Sequence, residues 1–365
     1  MNESTKAPAC LTIRLDAIVE NYRLCQRLAG TEAAGVVKAD AYGLGMERVA
    51  RALASAGCET FFVARLEEGI RLRALLSQAR IFVLDGVSQE SAPALIGHRL
   101  IPVLNSLDEI AEWSKAAGAQ RSALEAAIHV DTGMNRLGLP CAELSVLASD
   151  AGLRLAGLDL VLVVSHLACS DDPASAMNEI QLARFRAALA VLPPAPASLS
   201  ASGGVLLGKD YAFDLVRPGI ALYGGNPRRN PPNPFKTVAQ LAGRILQLRR
   251  VDKGEGVGYG ATFHTARLTT LATVGLGYAD GLMRAIANRG AGAVGGVRVP
   301  IVGRVSMDLI TLDVTDTLSV AVGSEVEFLG DTISLEELAE AAGTANYEIL
   351  TGLGGRFPRI YIGAP

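Results

Sequence analysis

Short apolar runs alternate with amphipathic stretches over roughly the first 225 residues. Thr60–Ala64 (TFFVA) is β-rich, and Glu67–Leu76 follows with helical periodicity. Ile81–Leu84 (IFVL) leads into a helix-like run ending at Ile96, and Ile101–Leu104 (IPVL) leads into Ser106–Ala117. Ser106 with Glu109 three residues on is a capping-box signature. Ala127–Val130, Leu160–Val164 and Ser198–Ser200 continue the series. These runs are continuously apolar rather than alternating, which marks strands buried on both faces of a parallel sheet. Repeated βα units of this length fit either an eight-stranded barrel or an open doubly wound sheet. Leu11–Leu15 alternates and precedes Asp16, read as the N-cap of a helix to Ala29. Asp171-Asp172-Pro173 reads as another N-cap followed by proline in the first turn.

The pattern changes near Asn226, where NPRRNPPNPF places four prolines between Pro227 and Pro234. This is a boundary signal. Beyond it, glycine-rich and β-branched segments dominate: Gly243–Val251, Thr269–Val274, Val297–Val302, Leu309–Val314 and Glu325–Leu329. Ser334–Ala342, with Ser334 as cap, is the one helix expected there. The reading is a first unit over residues 11–230 and a second, mainly β unit over residues 236–365. Residues 1–14 form a candidate strand of the second unit.

Composition narrows the function. The chain has 365 residues, 50% of them hydrophobic, and a net charge of −3. This supports a sizeable core and argues against a disordered chain or a polybasic nucleic-acid binder. Five scattered cysteines without a CxxC pair read as reduced thiols in a cytoplasmic protein. Four separated histidines offer no metal-ligand spacing. Met1–Cys10 lacks an apolar core, so no signal peptide is expected, and no stretch approaches membrane-helix length.

Lys38 closes the apolar run Gly35-Val36-Val37. The carboxyl end of a buried strand is where barrel enzymes keep their active sites. Burial there lowers a lysine's pKa and favours the neutral amine that Schiff-base chemistry needs. The alternative is a strand-end lysine whose head reaches solvent. Ser202-Gly203-Gly204 and Gly219-Ile220 are small, as anion cradles require.

VVKADAYGLG at 36–45 resembles the cofactor-lysine motif of the pyridoxal-phosphate-dependent (fold-type III) alanine racemases. The resemblance runs from about Leu11 to Tyr361. It includes HVDTGMNRLG at 129–138, SHLACSDD at 165–172 and SGGVLLGKDYAFDLVRPGIALYGG at 202–225. Further matches are VGYGATF at 257–263, VGLGYADG at 274–281, GRVSMD at 303–308 and NYEILTGLGGRFPRIY at 346–361. It implies a (β/α)8 TIM-like barrel followed by a mainly β C-terminal domain, working as a head-to-tail homodimer. The implied activity is interconversion of L- and D-alanine, supplying D-alanine for peptidoglycan. Lys38 would hold pyridoxal 5'-phosphate and act as one base. Tyr259, from the other subunit, would be the opposite base. Arg217 would face the pyridine nitrogen, with His166 hydrogen-bonding near it. Tyr42, Ser202, Gly219, Ile220 and Tyr347 would hold the phosphate. Arg136 and the backbone of Met307 would meet the substrate carboxylate, and Tyr278 would narrow the entry channel.

Three positions depart from the family. His129 stands where many members carry a carbamylated lysine that supports Arg136. Ala201 replaces an asparagine before Ser202, and Ser306 replaces a cysteine beside Met307. Racemisation of another amino acid, such as serine, and non-catalytic cofactor binding are the alternatives.

Overall fold

The structure, a computed structural model, describes residues 7–120, 122–228 and 232–363. Part of the proline-rich run, residues 229–231, lies outside the described residues, as do residues 1–6.

The first unit runs in βα order. After β1 (Ala9–Arg14) come α1 (Leu15–Ala29), β2 (Glu32–Ala33), β3 (Gly35–Val36), the short turn α2 (Lys38–Tyr42) and α3 (Met46–Ser55). Then follow β4 (Thr60–Val63), α4 (Leu66–Leu75), β5 (Arg80–Val83), α5 (Ala92–Gly97), β6 (Ile101–Leu104), α6 (Leu107–Gln120) and β7 (Leu124–His129). The series ends with α7 (Cys141–Ser149), α8 (Ala151–Arg154), β8 (Leu158–Val164), α9 (Ala176–Val191), β9 (Ala197–Ser198), α10 (Ser202–Leu207) and β10 (Leu215–Val216). Strands β3 to β9 form one parallel sheet. An isolated parallel bridge, Ala201 to Arg217, carries β9 across to β10. β10 pairs in parallel with β2, which continues through Ala34 into β3. The sheet thus returns to its first strand, as a (β/α)8 barrel requires. Every residue of β4 and β6 is buried, the physical reason for their unbroken apolar runs.

The second unit contains β11 (Ala239–Val251), β12 (Gly256–Val257), β13 (Phe263–His264), β14 (Thr269–Val274), β15 (Ala291–Val294), β16 (Val297–Pro300), β17 (Ile310–Asp313) and β18 (Glu325–Leu329). It closes with α11 (Leu335–Ala342), α12 (Asn346–Gly352) and β19 (Arg359–Ile362). β11 is its spine, pairing antiparallel with β1, β14 and β18. β1 also pairs in parallel with β19, so the chain's first strand lies in the second unit's sheet.

Local readings need three corrections. α1 begins at Leu15, with Arg14 at the cap. Asp16 lies inside the first turn and accepts the Ala17 N–H at 2.9 Å. A carboxylate there still favours the positive helix end. α9 begins at Ala176 after Ser175, and Asp172 instead accepts the Ala174 N–H at 3.0 Å in a turn. α12 was not expected. Its apolar positions Ile349 and Leu350 are buried, but seven residues with no capping side chain give too short a period to read. Among the described residues, no helix is long and apolar enough to cross a membrane.

Candidate active site

A cavity of about 600 Å³ opens at the carboxyl ends of the barrel strands. Its wall includes Lys38, Tyr42, His129, Arg136, His166, Ser202, Arg217, Gly219, Ile220 and Tyr347. The structure thus collects ten polar or backbone groups spread over more than 300 residues of sequence.

Lys38 follows β3 and starts a left-handed turn. Ala39, Asp40, Ala41 and Tyr42 have φ between 52° and 56°. Each left-handed L-residue costs roughly 1–2 kcal/mol, so neighbours must hold such a run in place. Burial, then the nearby Arg136, push the Lys38 amine below its ordinary value; Glu68 and Asp85 oppose this.

Arg217 follows β10 and is buried, with 7% exposure. It donates to Ser198 O at 2.8 Å, to Ser165 O at 2.6 Å and to Ser198 Oγ. Its guanidinium also lies over Phe62, 5.8 Å from the ring centroid. These acceptors are neutral. A buried cation held without a carboxylate is costly unless an electron-rich group completes it. Burial lowers Arg217 to about 10, so it remains charged at neutral pH. The family resemblance implies that His166 hydrogen-bonds near it; His166 follows Ser165, whose carbonyl Arg217 holds, and senses the guanidinium charge.

The cradle lies beside it. Ser202 Oγ accepts the amides of Gly219 at 2.9 Å and Ala221 at 3.2 Å. A Cβ on Gly219 would lie 2.1 Å from the Tyr42 hydroxyl, so glycine is required for that approach. The amides of Ser202–Gly204 open α10 and have no acceptor within it. Tyr347, on α12, lies 6.2 Å from Tyr42 between ring centroids. A phosphate fits this set, and an electron-rich ring nitrogen fits Arg217; the residues present suit pyridoxal phosphate.

His129 is fixed by Asn105. The Asn105 amide donates to Val103 O at 2.8 Å and Leu84 O at 3.2 Å, leaving its Oδ1 to accept from His129 Nδ1 at 2.8 Å. Nε2 is therefore the acceptor. Leu139 donates to His129 O, and Asp131 donates to Leu139 O. The loop bearing Arg136 is closed between these bonds. Asp131 Oδ1 also accepts the amides of Gly133, Met134 and Asn135 at 2.9–3.2 Å. Backbone bonds and the Asp131 carboxylate therefore shape the Arg136 loop, with His129 in the place where many family members carry the carbamylated lysine. Sequence reasoning did not single out Glu68, Asn105 or Asp131. Asp131 in DTGMN carried a turn signal; the other two carried none.

Tyr259, Tyr278 and Met307 do not line the cavity. They are 71%, 41% and 54% exposed on the second unit. Their loops pack together: Tyr278 donates its amide to Ser306 O, and Ala279 to Met307 O. A Cβ on Gly260 would lie 3.0 Å from Arg304 Nη1, so a cation flanks the Tyr259 loop.

Burial, followed by Arg217, pushes His129 down to about 4 and His166 to about 3. Both are neutral at pH 7 in the fold. In the unfolded chain they gain a proton near pH 6.5, which the folded state takes up only near pH 3–4. Stability should therefore decrease as the pH is lowered through that interval, by up to about 1.4 kcal/mol per pH unit for each imidazole. Urea midpoints measured from pH 7.5 to 5 check this. A level midpoint, or an unchanged slope in His166→Asn, contradicts it.

A closed α/β barrel with its polar cluster at the strand carboxyl ends, joined to a β domain, belongs to the class of barrel enzymes. The chain belongs to the alanine racemase family: the family's N-terminal domain matches residues 13–227 and its C-terminal domain residues 238–361. It is 48% identical to an alanine racemase of Rhodospirillum rubrum, over 100% of this chain and 98% of that one. It is also 48% identical to a catabolic alanine racemase of Agrobacterium fabrum, over 96% and 92% of the two chains. The crystal structure of Bartonella henselae alanine racemase with covalently bound pyridoxal phosphate superposes with a TM-score of 0.94, at 42% identity over 98% of this chain and 100% of that one.

Proposed function

We propose that the protein racemises alanine, using pyridoxal 5'-phosphate held through Lys38. The observation that carries this reading is the buried, carboxylate-free Arg217 in one cavity with a strand-end lysine of lowered basicity. When bound, the cofactor supplies an electron sink that acidifies the substrate's α-proton.

The residues then divide the work. Racemisation removes a proton from one face and returns one to the other, so two bases are needed. Lys38 Nζ serves one face. Tyr259, exposed on the second unit, serves the other face in the site of a partner subunit, with Arg304 beside its loop. This makes the functional unit a homodimer with shared sites. Arg217 cannot accept a proton, so it keeps the ring nitrogen facing it unprotonated and limits the sink. Ser202, Gly219, Ile220, Tyr42 and Tyr347 bind the phosphate. Arg136 meets the substrate carboxylate, with Met307 and Tyr278 of the partner bounding a small entry. The D-alanine formed supplies peptidoglycan in the cytoplasm.

Proton NMR of the loaded protein in D₂O tests the reading. L-alanine should lose its α-proton signal and yield D-alanine, much faster than L-serine or L-lysine. Alanine left optically unchanged overturns racemisation, and equal rates for serine overturn the preference.

A further inference from the structure

Resting on the reading of Lys38 above, we propose that Glu68 is a positioning residue for that lysine: its carboxylate ties two elements together and holds the left-handed turn that aims Lys38 into the cavity. One oxygen, Oε2, accepts the amides of Ala64 at 2.8 Å and Arg65 at 3.2 Å. This is the ordinary capping role of an acidic residue in the first turn of a helix, here α4. The other oxygen, Oε1, is not needed by α4. It accepts the amide of Ala39 at 2.6 Å, the residue directly after Lys38.

Ala39 is the first of the four consecutive left-handed residues. L-residues visit that region singly, and a run persists only where the surroundings impose it. The far end of the turn is held by the second unit. Arg359 Nη2 donates to Gly43 O at 3.1 Å, and the Tyr361 hydroxyl donates to Leu44 O at 3.0 Å. In the middle, Asp40 accepts the Met46 amide at 2.9 Å and faces Arg71 of α4 at 3.6 Å. At the lysine end the side-chain tie is Glu68, beside the turn's own bond from the Ala41 amide to Val37 O at 2.9 Å. The same carboxylate also supplies negative charge opposing the depression of the Lys38 amine.

The mechanism predicts a rescue that an ordinary helix cap would not show. In Glu68→Gln the amide can accept on one side only and turns its own N–H toward the other donor. In Ala39→Gly the left-handed conformation loses its steric penalty, so the turn needs less holding. Amide exchange across residues 38–45, followed by mass spectrometry on the full-length protein, reads the turn without any cofactor. E68Q should exchange there on the order of 10- to 100-fold faster than wild type, the effect of losing a hydrogen bond to a charged group. The A39G/E68Q protein should recover several-fold. Attachment of pyridoxal phosphate to Lys38 of the apoprotein should slow and recover in parallel. Unchanged exchange in E68Q overturns the proposal, and so does faster exchange that A39G leaves in place. If E68Q does not fold, Glu68→Asp replaces it, being one methylene too short to span both elements. Exchange that behaves as expected, in a wild-type protein that takes up no pyridoxal phosphate at Lys38, supports the clamp and overturns the functional reading.

Discussion

Lys38→Ala loses the visible absorbance of covalently held pyridoxal phosphate, and its alanine turnover falls by more than about 10³-fold. The size of the effect follows from two roles in one atom. On the function proposed above, the amine is the covalent anchor and also the base on one face. General acid–base catalysis alone contributes about 10²–10⁴-fold. Neither imidazole of the cavity wall can take over. Burial, followed by Arg217, holds both His129 and His166 far too low for a base working near pH 7. The fold should survive, because the ties of the turn run through the backbone of Val37 and Ala39 and through Asp40, none of them through the Lys38 side chain. Absorbance and racemisation assays on the purified variant check this. Retention of both would place the cofactor elsewhere.

Tyr259→Phe has the second largest effect, and its signature is asymmetry. Loss of one of two opposed bases impairs α-proton exchange from one enantiomer by about 10²–10⁴-fold and from the other far less. Cofactor absorbance stays, since Tyr259 is not in the wall of the cavity. Exchange in D₂O measured separately from L- and D-alanine checks this, and equal losses would remove Tyr259 as a base. The exposure of Tyr259 adds a second arm. If sites are shared between subunits, co-expressing Lys38→Ala and Tyr259→Phe chains produces mixed dimers with one intact site, made of Lys38 from one chain and Tyr259 from the other. Activity should return in the mixed species although both parents are nearly inactive. A mixture as inactive as its parents would place each site within a single chain.

Much of the architecture was legible in the residues because burial imposes its period locally. Ile101–Leu104 and Thr60–Val63 read as continuous apolar runs since both faces of each strand are covered. Ser334 read as a cap because its hydroxyl accepts the Glu337 amide, a bond within four residues. Ser106 read correctly as accepting the Glu109 amide, at 3.2 Å, but the return bond went to Asn105 rather than to Ser106. α12 failed to read because its seven residues owe their helix to packing against the rest of the chain rather than to capping or period. The start of α9 was misplaced because Pro173 fits a loop as well as a first turn.

The family, the order of barrel and β domain, and a lysine closing an early apolar strand are all legible in the residues alone. Those features rest on local periodicity and on ordered motifs. The turn after the lysine, the groups that hold Arg217 and the shape of the Arg136 loop come from contacts between distant segments. Four left-handed non-glycine residues after Lys38 contradict local propensity, so no local rule could foresee them. Glu68, Arg359 and Tyr361, distant in the chain, bond to the two ends of the turn, and its own amides close it from Ala41 to Val37 O and from Gly43 to Ala39 O. The Asn105–His129 pair has the same origin: its partners are 24 residues apart and meet because neighbouring parallel strands bring their carboxyl ends together.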